Sequence, residues 1–129
     1  MSTKMKLSEA ASRNLDEMAN VLGLRRNVVC RIALGVSLGI EEPPAMDKSD
    51  NNGIEFNKPT ILGTDEPVLT ALVSQHFGAR IDPEEFFSRY VRAEITRGLE
   101  VMVRDYRTIN SPVEYFERLS GLKGEINET

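Results

Sequence analysis

The chain has 129 residues, 40% of them hydrophobic and 28% charged, with a formal net charge of −4, the composition of one ordinary soluble, globular domain. No apolar run approaches the roughly 18–20 residues that a membrane span needs, and Met1 to Leu7 hold no apolar core before a small-residue cleavage site, so neither a transmembrane segment nor a signal peptide is expected and the expected location is cytoplasmic. The one cysteine, Cys30, excludes an internal disulfide framework and a multi-cysteine zinc site, and the charge is divided: six Lys/Arg against three acids in residues 1–40, then ten against seventeen in residues 41–129.

Thr3-Lys4-Met5-Lys6-Leu7 alternates with a period of two, the pattern of a short strand. Ser8 is a helix N-cap, and Leu7, Ala11, Leu15, Met18 and Leu22 form one apolar stripe that Gly23 ends. After the basic turn Leu24 to Asn27, with Asn27 as N-cap, a second stripe of Val29, Ile32, Ala33, Val36 and Ile40 marks a helix to about Leu38. Its β-branched content means that tertiary packing must supply much of its stability. Glu41 to Asn57, with Pro43-Pro44 and then a polar run to Gly53, offers nothing to bury and reads as a mobile loop. A short extended piece is expected around Pro59 between Ile54 and Leu62.

Thr64-Asp65-Glu66-Pro67 opens a helix with Leu69, Leu72, Val73 and Phe77 on one face and Gly78 as its end. Asp82-Pro83-Glu84-Glu85 is a second start, with Asp at the N-cap, Pro at N1 and Glu at N3. The helix that follows runs to about Arg107 with Phe87, Val91, Ile95, Leu99, Met102 and Tyr106 on one stripe. Arg89, Arg92, Arg97, Arg104 and Arg107 fall on the opposite arc of roughly 140°. That arc also holds Glu100, with Glu85 at its edge, and reads either as a solvated face or as a contact with DNA or protein. A last helix starts at Ser111-Pro112-Val113-Glu114 and stops before Gly121. The expected organisation is a single mostly α domain over 1–129. Residues 1–40 form a ribbon-helix-helix-like part, 41–57 a flexible loop, 58–121 a C-terminal helical part and 122–129 a frayed tail.

Catalytic constellations are sparse. One histidine, His76, near a helix C-terminus reads as structural, and Cys30 on a helix stripe reads as packing despite Arg31 beside it. Glu84, Glu85 and Glu114 are explained by helix starts. No Gly-rich phosphate loop or Ser/His/Asp set is present. Neither enzyme activity, nor a metal, nor a cofactor is expected. The order strand, helix, basic turn, helix is the layout of a ribbon-helix-helix unit, in which two chains pair their strands and one face of the ribbon meets DNA. Alternation puts Lys4 and Lys6 on that face and Met5 and Leu7 underneath. Arg25, Arg26, Asn27 and Arg31, at the start of the second helix, form a candidate phosphate clamp. An ordinary helical hairpin with solvated lysines is the alternative. Lysines supply charge without the fork geometry of base recognition, which points to backbone contact with little sequence preference.

Asn27-Val28-Val29-Cys30-Arg31-Ile32-Ala33-Leu34-Gly35-Val36-Ser37-Leu38 resembles the second-helix signature of the DndE family of DNA sulfur modification (phosphorothioation) proteins. Phe86-Phe87-Ser88-Arg89-Tyr90 with Arg97-Gly98-Leu99 is similar to that family's C-terminal helix, and Phe56-Asn57-Lys58-Pro59-Thr60 to its middle strand. The resemblance implies a bacterial, non-catalytic DNA-binding component that assembles as an oligomer, a dimer or tetramer, and favours nicked duplex. It would work beside separate sulfur-transfer and ATPase subunits. A scaffold that holds those enzymes together and a sequence-specific ribbon-helix-helix repressor are the alternative functions.

Overall fold

A computed structural model of the chain describes residues 3–109 and 112–120. The element order is β1 (Lys4–Lys6), α1 (Glu9–Leu22), α2 (Arg26–Leu38), β2 (Glu55–Asn57), α3 (Lys58–Leu62), a 3-10 turn (Gly63–Asp65), α4 (Glu66–Phe77), α5 (Pro83–Glu85), a π-helical segment (Phe86–Val91), α6 (Arg92–Arg107) and α7 (Pro112–Ser120). None of the described helices is long and apolar enough to cross a membrane. The expected frayed tail, 122–129, lies outside the described residues.

Local chemistry sets most helix ends. Ser8 Oγ accepts from the Ala11 amide at 3.0 Å, satisfying one of the orphan donors of α1. Gly23 closes the helix in the left-handed conformation at φ 66°, where a Cβ would be strained. α2 begins one residue before Asn27, the expected cap. Arg25 holds the N-cap position with no side-chain bond, so this start depends on packing. α4 ends at Gly78, and Asp82 caps α5 by accepting from the Glu84 amide at 3.0 Å.

The core is the stack of α6 on α2 and α1. Leu15 and Met18 of α1, Val29, Cys30 and Ala33 of α2, and Ile95, Leu99 and Met102 of α6 are all fully buried. Each large apolar side chain here contributes on the order of 1.5–3 kcal/mol of burial free energy. At the crossing of α2 and α6 a Cβ on Gly98 would stand 1.9 Å from the Ala33 carbonyl oxygen, so only glycine permits this approach. α6 of the same chain thus covers the inner faces of α1 and α2.

β1 pairs antiparallel with β2, in the register Lys4 with Asn57, Met5 with Phe56 and Lys6 with Glu55. The extended piece expected near Pro59 thus lies at 55–57, and Pro59 falls inside α3. Met5 and Phe56 point into the core.

Within residues 41–57, read from the sequence as a mobile loop, Glu55–Asn57 form β2 and the polar run before them is tied to the helices. The physical reason is Arg92, 6% exposed at the start of α6. Its guanidinium donates to Asp47 Oδ2 at 3.0 Å, to the Asp50 carbonyl at 2.6 Å, to Ser49 Oγ at 3.2 Å, to the Ser49 carbonyl at 3.4 Å and to Asn51 Oδ1. Gly53 lies so close to the start of α1 that a Cβ there would stand 2.1 Å from Ser12 Oγ and 2.4 Å from the Ser8 carbonyl oxygen. The polar run 47–53 is thus fastened to two helices, α6 through Arg92 and α1 through Ser8 and Ser12.

The long C-terminal helix is also less regular than its sequence. The stripe Phe87, Val91, Ile95, Leu99 and Met102 is buried as expected, but the backbone widens to π-helical geometry over Phe86–Val91. Arg92 and Arg97 leave the expected basic arc. Held between the 41–57 segment and α2, they make internal bonds, while Arg89, Arg104 and Arg107 stay exposed.

Candidate nucleic-acid interface

The outer face of the two-stranded ribbon consists of Lys4, Lys6, Glu55 and Asn57, all exposed. Successive side chains of a strand alternate between faces, so burial of Met5 and Phe56 forces these four outward. Lys4 Nζ lies 4.0 Å from Glu55 Oε2, across the diagonal of the register. Their side chains are 64% and 46% exposed, so the pair is solvent-screened and contributes little to stability. Lys6 makes no bond or ion pair among the described residues. The sequence pattern located Lys4 and Lys6; Glu55 and Asn57 were not singled out, because they fall in the stretch read as a loop to Asn57.

The basic turn is a separate place. It stands beyond the C-terminus of α1, while the ribbon stands before its N-terminus, and fourteen helical residues put about 20 Å between them. Arg25 is exposed and its side chain has no partner among the described residues. Arg26 Nε donates to Asp16 Oδ1 at 2.8 Å. Asn27 is half-buried in the first turn of α2. Arg31 turns the other way: its Nε donates to the Ile61 carbonyl at 2.7 Å and its Nη2 to the Thr60 carbonyl at 3.2 Å. It thereby satisfies carbonyls at the end of α3 that the helix leaves open. The six candidate residues therefore divide into a ribbon pair, a turn group of three and one residue bonded to α3.

Two groups with chemical potential are occupied inside the fold. Cys30 is fully buried, and burial pushes its thiol up to about 12, the opposite of the shift a nucleophile needs. Glu94, fully buried, accepts from Ser37 Oγ at 2.7 Å and lies 2.6 Å from His76 Nδ1. His76 Nε2 faces the Ile40 carbonyl at 2.7 Å, an acceptor, so that nitrogen carries a proton. Arg97 completes the set, donating from Nε to Ser37 Oγ and from Nη2 to the Ser37 carbonyl, both at 2.9 Å. The network ties α4 and α6 to the end of α2 with every polar group met, a structural use of the only histidine.

The carboxylates of the fastened loop are shifted as their partners dictate. Burial would raise Asp47, but hydrogen bonds from the Ser49 hydroxyl and amide, together with Arg92, outweigh it and hold the group below the ordinary 3.8. Asp50 is held down by accepting from the Asn52 and Glu9 amides, each at 2.9 Å. The second of these places a carboxylate at the positive end of α1.

The family model for DNA sulphur modification protein DndE matches residues 4–110, from β1 through the end of α6. Among solved structures, the fold is similar to a crystal structure of DndE from Escherichia coli B7A involved in DNA phosphorothioation modification. The TM-score is 0.65 at 17% sequence identity, over 78% of this chain and 95% of that one. It is also similar to a glycine-to-lysine mutant of DndE involved in DNA phosphorothioation, with a TM-score of 0.63 at 17% identity over 81% of this chain and 99% of that one. No curated protein matches significantly.

Proposed function

The chain belongs to the DndE family of DNA sulphur modification proteins, and from that premise we propose that it is a non-catalytic, oligomeric DNA-binding component of a DNA phosphorothioation system. It binds the duplex backbone, favours nicked DNA and has little overall sequence preference. The observation that carries this reading is the ribbon, whose buried Met5 and Phe56 hold Lys4 and Lys6 outward on a face away from the core. A net charge of −4 repels phosphate over most of the surface, so binding must be concentrated where lysines are presented together. Arg25 and Arg26, about 20 Å along α1, add a second basic point on the same chain.

The non-catalytic part is supported by the occupation of the reactive groups: Cys30 is buried and held protonated, and His76 lies between Glu94 and the Ile40 carbonyl. Self-assembly is supported by β1, which has β2 on one edge and no strand among the described residues on the other. Several copies would multiply a few weak phosphate contacts through effective concentration. A scaffold role is favoured by a different observation: Val68 and Leu72 on α4 are 61% and 43% exposed, more than an apolar pair needs without a partner. The two roles use different surfaces.

The test is binding of the purified protein to intact and nicked duplexes against random-sequence competitor over a range of salt. The expected result is salt-sensitive binding that is tighter on the nicked duplex. Replacing Lys4 and Lys6 together by alanine should weaken it and flatten the salt slope by up to about two units. Unchanged binding by that variant removes the ribbon from the interface. No binding at low salt leaves the scaffold reading, which predicts that partner subunits are lost on substituting Val68 and Leu72 by serine.

A further inference from the structure

We infer that the ribbon reads a base as well as binding phosphate, and that Asn57 is the residue that does so; this rests on the DNA-binding reading above. Asn57 occupies the N-cap position of α3, where an asparagine ordinarily accepts from a backbone amide two or three residues on. Here it makes no such bond. Pro59 stands two residues on and has no N–H to give, which removes one of the two ordinary donors. The carboxamide is exposed, and no hydrogen bond to it exists among the described residues. It projects from the same face as its register partner Lys4.

The composition of that face argues for more than a charge clamp. Two lysines beside one glutamate leave it at about +1, and Glu55 already lies within 4.0 Å of Lys4. A surface meant only for phosphate would gain from a third cation where Glu55 stands. Instead the face offers ammonium donors, a carboxylate acceptor and one amide that is both. Those are the groups that distinguish base edges in the major groove, asparagine pairing with the N6 and N7 of adenine. The dimensions agree. Paired strands lie about 4.8 Å apart and alternate residues on one strand about 7 Å apart, so the four side chains span about two base pairs at 3.4 Å each. A two-stranded ribbon also fits the width of the major groove. The preference should be local, one or two positions within binding that the backbone dominates.

The experiment is selection from a random duplex library by the full-length protein, followed by sequencing, with wild type, Asn57→Ala and Lys4→Ala in parallel and the salt slope of each measured on one fixed duplex. Wild type should enrich adenine at one position by about five- to tenfold. Asn57→Ala should lose that enrichment with its salt slope unchanged, while Lys4→Ala should weaken binding to all sequences alike and lower the slope. Because the Asn57 side chain is exposed and makes no bond, the variant should keep the far-UV spectrum of wild type. Salt-sensitive binding without base enrichment, or enrichment that survives Asn57→Ala, overturns the inference and leaves DNA binding intact. Absence of any binding by wild type overturns both.

Discussion

Replacing Arg92 by leucine would remove the fastening of residues 47–51 while leaving an apolar stem in place. The Arg92 and Asp47 side chains are 7% and 9% exposed, so their pairing is shielded from water. Breaking one side of a buried pair costs about 3–5 kcal/mol, most of it from the charge left behind. Asp47 would keep three donors: the Ser49 amide at 3.0 Å, the Ser49 hydroxyl and Thr96 Oγ1 at 3.1 Å. That places the loss at the lower end, about 3 kcal/mol, a large share of the roughly 5–15 kcal/mol that holds a domain together. Urea unfolding followed by circular dichroism should show a midpoint lower by about 1–2 M. The pH dependence adds a signed check. Wild-type Asp47 is held below its ordinary 3.8, so its contribution is complete above that value and is lost as pH falls through the folded one. In the variant the part of that depression due to Arg92 is lost while the Ser49 bonds remain, and the gap between the two proteins should narrow in acid. A loss under about 1 kcal/mol, small even for an ordinary substitution, would refute the reasoning, as would a gap that stays constant from neutral pH to pH 3.

Two further outcomes follow from the packing. Gly98→Ala should destabilise by at least about 1–3 kcal/mol, because its Cβ meets the Ala33 backbone carbonyl and neither helix can yield without repacking the core; thermal unfolding measures it, and a neutral result would mean that α2 and α6 cross less closely. Cys30 should resist alkylation by iodoacetamide at pH 8 in the folded protein and react at once in denaturant, since its thiol is buried and pushed up to about 12; rapid labelling of the native state would reopen a reactive role.

What was legible in the sequence was local. The ends of α1 follow from Ser8 and Gly23, the start of α5 from Asp82 and Pro83, and the inner face of β1 from alternation, each within a few residues. The apolar stripe of the long helix was legible for the same reason. What was not legible depended on partners far along the chain. The 41–57 loop looked unanchored because Arg92 lies 41 to 45 residues beyond the atoms it binds. That arginine in turn was placed on a basic arc, since periodicity shows a face but not what lies against it. Arg31 and Arg26 were grouped with the phosphate clamp by charge alone, and the structure turns one to the carbonyls of α3 and the other to Asp16. Asn57 was passed over because its interest comes from a bond it does not make.

The Arg92 cradle has a consequence for how the loop depends on its surroundings. Five oxygen atoms from Asp47, Ser49, Asp50 and Asn51 converge on one cationic group, the kind of oxygen-rich setting that loops of such composition offer to a calcium ion. Here the cation is a side chain of the same polypeptide, planar and permanently charged. A tethered cation has no dissociation constant and cannot be withdrawn by a chelator or diluted away. Gathering these five oxygens therefore calls for no divalent ion, and it ends when α6 comes away, while the bonds of Asp50 and Ile54 to α1 remain.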